Sequence, residues 1–399
     1  MPINSFLYPG AKFTPPYSVA NSLRFNYDSS DYLNKTLGTA TNRKKFTIST
    51  WVKRSELYGV NSETKYLMSA GNNASTNIDE FYFRQDTLDF SGYESSTTEF
   101  QLRTNQLFRD PSAWLHIVVA YDSTQGTASN RIKAYANGSQ ITSFSTETYP
   151  DQNHEPLFNS NIAHEIGRNL DSKYFDGYMA EFVFIDGSAL APTDFGEFDS
   201  DTPTIWRPID VSDLTFGNNG FYLDFENSGS LGADVSGNSN NFTVNNLTSV
   251  DQSTDTCTNN FCTFNPLDVT ADDEATLSEG NLKAVADGAF HQTRSTFYLT
   301  TGKWYWEFKA TSVGDALQGG VVGSNYAGGS GLRRNYQHSA AKYTDGSSSS
   351  YGATFTDGDI IGVALDLDNG TLIFYKNGST QGTAFTDMLS AIGEDGWTP

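Results

Sequence analysis

Apolar and polar residues alternate over short stretches of this chain, and glycine, asparagine and aspartate separate the stretches. Ile361, Val363 and Leu365 alternate with small residues, so their larger side chains lie on one face of a strand. The alternation recurs in four earlier stretches, FTISTWVK (46–53), WLHIVVAYD (114–122), RIKAYANGSQI (131–141) and GYMAEFVFIDG (177–187). Apart from a short turn near residues 191–195, no segment has a convincing helical period. The pattern predicts an all-β protein of antiparallel sandwiches.

Two Asn-Gly steps, Asn369-Gly370 and Asn377-Gly378, flank the apolar run from Leu372 to Lys376. A type I′ turn needs positive φ at both central residues, and Asn-Gly tolerates this best. We therefore expect a strand with a tight turn at each end.

Length and composition agree with sheets in more than one domain. The chain has 399 residues, of which 14% are aromatic and 35 are glycine, a balance that suits half-buried sheet faces joined by tight turns. Single cores rarely grow beyond about 250 residues, so we expect two domains.

The formal net charge of -22 argues against two classes of partner, nucleic acid and anionic membrane surfaces. No apolar stretch is long enough to span a membrane, and residues 1–13 lack the pattern of a signal peptide. We expect a soluble protein without membrane insertion, not exported by the usual route.

Composition also changes along the chain. Residues 1–19 hold four prolines among aromatic residues and predict an extended arm, which another surface must cover. Residues 199–275 are rich in Asn, Ser, Asp and Thr and indicate a connector, with a strand-like segment near 221–246 that we expect to pair with a neighbouring domain. Cys257 and Cys262 permit a small disulfide loop or two free thiols.

The stretches within residues 20–198 resemble the laminin-G-like, concanavalin A-like jelly roll. The resemblance implies that Trp51 and Trp114 pack between the sheets and that Phe182 is in the core. That family often holds one calcium ion at the rim of the sandwich. Candidate ligands near the predicted strand ends are Asp122, Asp171 and Asp176.

Residues 276–399 resemble the SPRY domain, through STFYLTTGKWYWEFKAT, GGVVGS and DGDIIGVALDLDNGTLIFYKNGSTQGTAF. Such domains usually have further strands after the Trp-x-Pro stretch, here GWTP, so either the chain continues or something else covers the open edge. The resemblance implies a binding surface built from loops, and residues 325–352 are the longest candidate. Its candidate ligand-binding residues are Arg333, Arg334, Tyr336, Tyr343 and Tyr351, although the arginines of an acidic protein can also serve only to balance charge.

Concanavalin-like folds include glucanases, which carry paired carboxylates on one strand. The nearest string is Glu197, Asp199 and Asp201, which follows the predicted last strand and precedes Pro203. We interpret it as a solvated acidic loop and expect no enzymatic activity.

This combination of modules resembles structural proteins of tailed bacteriophages, particularly marine ones. The resemblance implies a virion protein, assembled in the host cytoplasm as a tail fibre or surface appendage, that binds a glycan or protein of the host surface. We expect a homo-oligomer, a trimer if it is a fibre, with residues 1–19 at a contact with a subunit or another virion protein. The alternatives are a capsid decoration protein with a purely architectural role and a concanavalin-like carbohydrate-active enzyme.

Overall fold

The computed structural model describes residues 17–57, 64–268, 275–286, 291–314, 316–323, 331–391 and 396–399. The chain divides into two compact units, Met1–Phe261 and Cys262–Pro399. The all-β prediction is confirmed, since the helices of the described residues are three short 3-10 turns at Ala128–Asn130, Pro192–Asp194 and Ser249–Asp251. Of the predicted arm, residues 1–16 lie outside the described residues.

The first unit is a sandwich of two antiparallel sheets. Its strands are β1 (Ser22–Phe25), β2 (Tyr32–Thr36), β3 (Lys45–Arg54), β4 (Thr64–Asn73), β5 (Asn77–Arg84), β6 (Thr87–Glu94), β7 (Thr97–Leu107), β8 (Leu115–Asp122), β9 (Ile132–Ala136), β10 (Ser139–Ile141), β11 (Phe144–Thr148), β12 (Ala163–Ile166), β13 (Gly177–Asp186), β14 (Gly196–Phe198), β15 (Trp206–Pro208), β16 (Phe221–Leu223), β17 (Thr243–Asn245) and β18 (Gln252–Ser253). The first sheet has the order β10-β9-β8-β3-β13-β1-β18, with β16 also paired to β13, and the second has the order β11-β7-β6-β5-β4-β12-β2-β17. Strands β14 and β15 form a separate two-stranded ribbon.

The main core lies between these two sheets and is rich in phenylalanine. The Phe46 ring stacks on Tyr121 at 4.8 Å and on Phe184 at 5.5 Å within the first sheet, and it meets Phe90 of the second sheet at 6.4 Å. Phe182 belongs to this core, as expected. Ring pairs of this kind add to the stabilisation that comes from burial of apolar area alone.

The two tryptophans expected between the sheets lie elsewhere. Trp51 and Trp114 are buried, but they form a second cluster with Val19, Tyr178 and Trp206 on the outer face of the first sheet. The reason is the period of two, since Ile48 and Val52 of β3 point into the main core and Trp51, one position away, must point outwards.

The expected connector is divided between the two units. Residues 199–261 belong to the first unit, where the strand-like segment 221–246 supplies β16, paired with β13, and β17, paired with β2. The segment from Phe195 to Phe261 also covers the outer face of the first sheet, with Phe195, Val211 and Phe216 packed against Val183. The division between the units falls at residues 261 and 262, earlier than the expected 275 and 276.

The second unit contains a smaller sandwich and a hairpin. Its strands are β19 (Thr276–Ser278), β20 (Lys283–Val285), β21 (Lys303–Lys309), β22 (Gln318–Gly323), β23 (Arg333–Gln337), β24 (Ala341–Thr344), β25 (Ser347–Ser350), β26 (Ile360–Asp366), β27 (Thr371–Lys376), β28 (Ser379–Phe385) and β29 (Trp397–Thr398). Its sheets have the orders β21-β26-β27-β28 and β25-β24-β23-β22-β29, and β19 pairs with β20. The core between the two sheets includes Val363, Phe374, Tyr336 and Trp397.

The two Asn-Gly steps at the ends of β27 differ. Asn377 and Gly378 have φ of 48° and 77°, as a type I′ turn requires. Asn369 is not among the residues with positive φ, and the carboxylate of Asp366 instead accepts the backbone N–H groups of Asp368 and Asn369, each at 3.0 Å. The type I′ prediction is therefore right for Asn377-Gly378. It is wrong for Asn369-Gly370, where the Asp366 side chain holds the loop.

Both cysteines are free thiols. Within the described ranges, no helix has the length and apolar character needed to cross a membrane.

Candidate ligand groove on the first sandwich

The predicted loop 325–352 of the second unit forms strands for most of its described length. Within it, β23, β24 and β25 are consecutive antiparallel strands, and Asp345-Gly346 forms the β24–β25 turn with φ of 46° and 91°. The side chains of the Ser-rich run 347–350 have no apolar pattern, but its backbone forms β25, the edge strand of the sheet. The expectation that this segment lies outside the sheets is wrong.

Two of its five candidate residues lie inside the second unit. Arg334 is 3% exposed, and its guanidinium donates to Asp345 and Asp387, each at 2.8 Å. Tyr336 is fully buried and donates its hydroxyl to the carbonyl of Ala353. Their alternation along β23 turns both side chains inwards, so they stabilise the sandwich and offer no surface to a ligand.

The other three candidates are partly exposed, and Tyr351 packs its ring edge-to-face on buried Tyr336 at 5.3 Å. The Arg333 guanidinium lies over the Tyr343 ring, 4.8 Å from its centroid. Tyr351 is half-buried and donates to the carbonyl of Gly382 at 2.6 Å. The five residues therefore do not form a single binding surface.

The three candidate calcium ligands do not come together either. Asp122 pairs with Lys45 at one end of β3, whereas Gly177, next to Asp176, pairs with Arg54 at the other end. Nine residues of strand separate these ends, which corresponds to about 30 Å. Asp122 instead bonds to Lys45, Thr124 and Gln125, and Asp176 accepts the N–H of Tyr27 at 3.1 Å.

Asp171 is exposed, and it follows Leu170 in the loop before β13. Among the residues that the structure describes, no cluster of three or more His, Cys, Asp or Glu side chains is arranged to hold a metal ion. The acidic string contains Glu197 in the short strand β14, and the Arg207 guanidinium pairs with Glu197 at 2.8 Å and with Asp199 at 3.3 Å.

A groove with the size of a ligand site lies on the outer face of the second sheet. It has a volume of about 420 Å³, within the usual range of ligand sites. Strands β4, β5 and β6 form its floor, and the loops after β4 and β12 contribute to its sides. The lining residues are Thr64, Tyr66, Ala74, Ser75, Ile78, Glu80, Tyr82, Arg84, Tyr93, Asn169 and Lys173.

Alternation along β5 explains why these side chains share a face. Phe81 and Phe83 point into the main core, so Glu80, Tyr82 and Arg84 point outwards. Tyr82 lies directly opposite Tyr66 of β4, and the two rings stack at 4.7 Å with an interplanar angle of 14°. These two rings are 4% and 3% exposed and form the base of the groove, and the partly exposed Tyr93 is the aromatic side chain that a saccharide ring can contact.

Glu80 is the titratable group of this floor. Its side chain is buried, and burial, followed by the negative charge of Asp89, raises its pKa to about 7. Burial together with the charge of Glu80 raises the pKa of the neighbouring Tyr66 phenol. Near neutral pH, Glu80 therefore exists partly as a carboxylic acid, which can donate as well as accept a hydrogen bond.

Asp89, the neighbouring carboxylate of β6, has a different role. It lies opposite Tyr82 on the same face and is 0% exposed. Arg103 donates to it at 2.6 Å, and Gln101 donates at 3.1 Å and 3.3 Å. Since it is enclosed by these partners, Asp89 is not placed to attack a bound substrate, and Glu80 lacks the accessible second carboxylate of a glycosidase.

Two cations stand at the sides of the groove, and each is held by its local structure. Arg84 begins the tight turn between β5 and β6, in which Gln85 and Asp86 both have positive φ. The turn is anchored because the Asp86 carboxylate pairs with Arg54 at 3.0 Å and with Arg109 at 2.8 Å. Arg84 is therefore presented from a fixed turn.

Lys173 lies in the loop between β12 and β13. Glu165 of β12 anchors this loop by accepting the Arg168 guanidinium in a bidentate pair and the N–H of Leu170 at 2.8 Å. The Asn169 side chain then accepts the N–H of Lys173 at 3.2 Å. The ammonium group itself is exposed beside the groove.

A signal for this groove is present in the sequence of β5. Residues 80–84 alternate, and their outward positions combine a carboxylate, a tyrosine and an arginine instead of the Ser and Thr of an ordinary exposed face.

Both sandwiches resemble known protein families. Residues 27–194 match the concanavalin A-like lectin/glucanases superfamily, and residues 303–392 match the SPRY domain. Ran-binding protein 9 of Danio rerio is 31% identical over 119 residues, which cover 28% of this chain and 20% of that protein. Ran-binding protein 10 of Danio rerio is likewise 31% identical over 129 residues. The chain spans about a fifth of the length of these curated relatives.

Solved structures also resemble the chain. Domains LG4-5 of the mouse laminin alpha1 chain are 11% identical, with a TM-score of 0.34, and the match covers 100% of this chain and 86% of that one. The SPRY domain of human HERC1 is 20% identical, with a TM-score of 0.27, and the match covers 34% of this chain and 86% of that one.

Proposed function

We propose that this protein is a non-enzymatic virion structural protein that binds a host-surface saccharide in the groove of its first sandwich. In this role it is a tail fibre or surface appendage, assembled in the host cytoplasm as a homo-oligomer together with other virion proteins. The virion part of the proposal rests on the combination of modules and on the acidic composition.

The observation that carries the binding role is the composition of the groove. The partly exposed ring of Tyr93, the exposed side chain of Ser75 and, at the base, the partly protonated Glu80 share one site of suitable size. Saccharides are bound by this combination, because their rings present apolar faces and their hydroxyls need both donors and acceptors. The match of residues 27–194 to a lectin and glucanase superfamily supports the same role.

The non-enzymatic part rests on the carboxylates. Glycoside hydrolysis needs two accessible carboxyl groups on either side of the scissile bond. Glu80 lines the groove, whereas Asp89 is enclosed by Arg103 and Gln101. The acidic residues Glu197 and Asp199 lie on the β14–β15 ribbon, where Arg207 neutralises them.

The test is saccharide binding by two matched variants. Tyr93 is a partly exposed residue of the groove, and Tyr343 is a partly exposed residue of the site predicted in the second unit. On a panel of neutral and acidic glycans, we expect Tyr93→Ala to weaken binding about tenfold or more, and Tyr343→Ala to leave it unchanged. The reverse result would move the binding site to the second unit.

Further arms separate the remaining alternatives. Binding should be the same in calcium and in EDTA, and no reducing sugar should be released from any bound glycan. If no saccharide binds while the protein still attaches to virions that lack it, the architectural role is correct. Immunogold electron microscopy of intact virions tests the virion assignment directly.

A further inference from the structure

Most arginine and lysine side chains of the first unit have a partner in the structure. Arg24, Lys53 and Arg103, for example, pair with Asp251, Asp255 and Asp89. Arg131, which makes no such pair, donates to the carbonyls of Gln125, Gly126 and Pro150. In a chain with 47 acidic and 25 basic residues, this pairing is expected, because carboxylates are in excess.

Arg84 and Lys173 depart from this pattern. Within residues 64–268 and the other described ranges, neither side chain makes an ion pair or a hydrogen bond, although both lie close enough to Asp89 and Glu80 to affect their pKa values. Lys35 and Lys133 share this property, but they lie on β2 and β9, away from the groove lining. Of these four cations, Arg84 and Lys173 share one site, the groove.

We infer that the groove selects acidic saccharides, those that carry a carboxylate or a sulfate, and that Arg84 and Lys173 bind the acidic group. This inference rests on the proposed function, since it names the class of ligand for the same groove. Cations without a protein partner can bind a ligand anion without first breaking an ion pair.

The two cations also offset, within the groove, the repulsion that the net negative charge of the protein exerts on an acidic glycan. A surface of -22 repels an acidic glycan, but at physiological salt this repulsion is screened beyond about 8 Å. Within the groove the local charges decide the outcome, and there two cations oppose Glu80 alone, because Asp89 is neutralised by Arg103. Contact with the partly exposed Tyr93 would bind the sugar ring, and the cations would select its substituent.

The experiment compares acidic glycans with their neutral counterparts. The probes are a sulfated galactan oligosaccharide, its desulfated form, a uronic acid oligomer and its carboxyl-reduced form. Wild-type protein should bind at least one acidic probe about tenfold or more tightly than its neutral counterpart, and its affinity should fall with added salt. The two acidic probes distinguish sulfate from carboxylate.

The variants are Arg84→Gln, Lys173→Gln and their combination, with Lys133→Gln as the control. Lys133 also makes no ion pair with the described part of the chain, but it lies on the first sheet, so its loss changes the net charge equally without touching the groove. The double variant should lose the tenfold preference and the salt dependence while it keeps the affinity for the neutral probe. The control variant should behave like the wild type.

Three results would overturn the inference. Equal binding of acidic and neutral probes, weakened by Tyr93→Ala, would leave the proposed function intact and show that the groove ignores charge. A preference for acidic probes that survives the double variant would place the selecting cations elsewhere. Failure to bind any probe or any glycan of the panel would count against the proposed function itself, and the inference would fall with it.

Discussion

The outer faces of the two sheets in the first sandwich both carry aromatic side chains. They differ in whether another segment of the chain covers them. On the first sheet, His116 lies between the rings of Trp51 and Trp206, at 4.7 Å and 6.1 Å, under the covering segment 195–261. On the second sheet, Tyr66 and Tyr82 stack on each other and are equally buried, but they form the base of a groove that the partly exposed Tyr93 and Arg84 and the exposed Lys173 line. Coverage by the chain decides whether such a face serves stability or binding.

The covered face satisfies its own polar groups. Trp206 can only donate, and it donates to Nδ1 of His116 at 2.9 Å, so Nε2 carries the proton and donates to Ser49 at 2.9 Å. Burial lowers the pKa of His116 to about 3, which keeps the ring neutral. On the open face, in contrast, Arg84 and Lys173 make no ion pair or hydrogen bond through their side chains with any residue that the structure describes. Polar groups that already have partners are not available to a ligand, which makes the open face the better candidate for binding.

The largest expected effect on stability comes from removing the ion pair between Lys53 and Asp255 on the covered face. The ammonium of Lys53, 1% exposed, donates to Asp255 at 2.8 Å, to Asn260 at 2.8 Å and to the carbonyl of Phe261 at 2.7 Å. Asp255→Ala leaves this buried charge without its counter-ion and should lower the free energy of unfolding of the first unit by about 3 to 5 kcal/mol. Urea unfolding, followed by tryptophan fluorescence, measures the change.

A double variant serves as the control for this experiment. In Lys53→Met with Asp255→Ala, no charge is left buried alone, so the loss should be clearly smaller than for Asp255→Ala. If the single variant unfolds within about 1 kcal/mol of the wild type, the covering segment is not held by this ion pair, and the contrast between the two faces is weaker than the structure indicates.

The second effect concerns pH and the open face. The groups that face Glu80 are Tyr66, Asp89, Lys173 and Ser91, and its folded-state pKa of about 7 lies above the usual value of 4.5. Below the unfolded pKa both states are protonated, and the contribution of Glu80 to stability is fully present. It is lost as the pH rises through the folded pKa, because the folded state then holds a buried carboxylate. The Glu80 contribution to stability should therefore be smaller at pH 8 than at pH 5.

Glu80→Gln isolates this contribution. Burial also raises the pKa values of Asp79, Asp176 and Glu181, so the wild type loses stability over this range for several reasons. The measurement is therefore the difference between two proteins, and Glu80→Gln should remove on the order of 2 kcal/mol of the change in unfolding free energy between pH 5 and pH 8. Glu147→Gln, at an exposed position of β11, is the control and should leave the profile unchanged. Identical profiles for Glu80→Gln and the wild type would mean that Glu80 is solvated in the groove.

The sequence predicted the strands of both faces but not which face would be covered. The period of two located β3, β8 and β13 closely, because alternation is a local property of each strand. Coverage depends on residues 199–261, whose Asn and Ser content indicates a connector when they are read alone. Their apolar residues, among them Trp206, pack against the outer face of the first sheet, which their own sequence does not reveal.

The same limit explains the misplaced candidate site in the second unit. The Ser-rich strand β25 is defined by the hydrogen bonds of its backbone to β24, and no side-chain pattern reveals them. Arg334 was a reasonable anchor for a ligand until Asp387, more than fifty residues away along the chain, proved to be its partner. Pairing between distant residues is the information that a single sequence lacks.

The smallest expected effect is also the sharpest test of the difference between the faces. Arg84→Gln and Lys173→Gln remove cations that make no ion pair with the described residues, so each should change the free energy of unfolding by less than about 0.5 kcal/mol. The same type of change at a cation of the covered face, Lys53→Gln, should cost several times more, because it leaves Asp255 without its buried partner. Chemical denaturation of the three variants under one condition measures all of these differences. A loss above about 1 kcal/mol for either groove variant would show that these cations help to hold the fold, and their availability to a ligand would then have to be reconsidered.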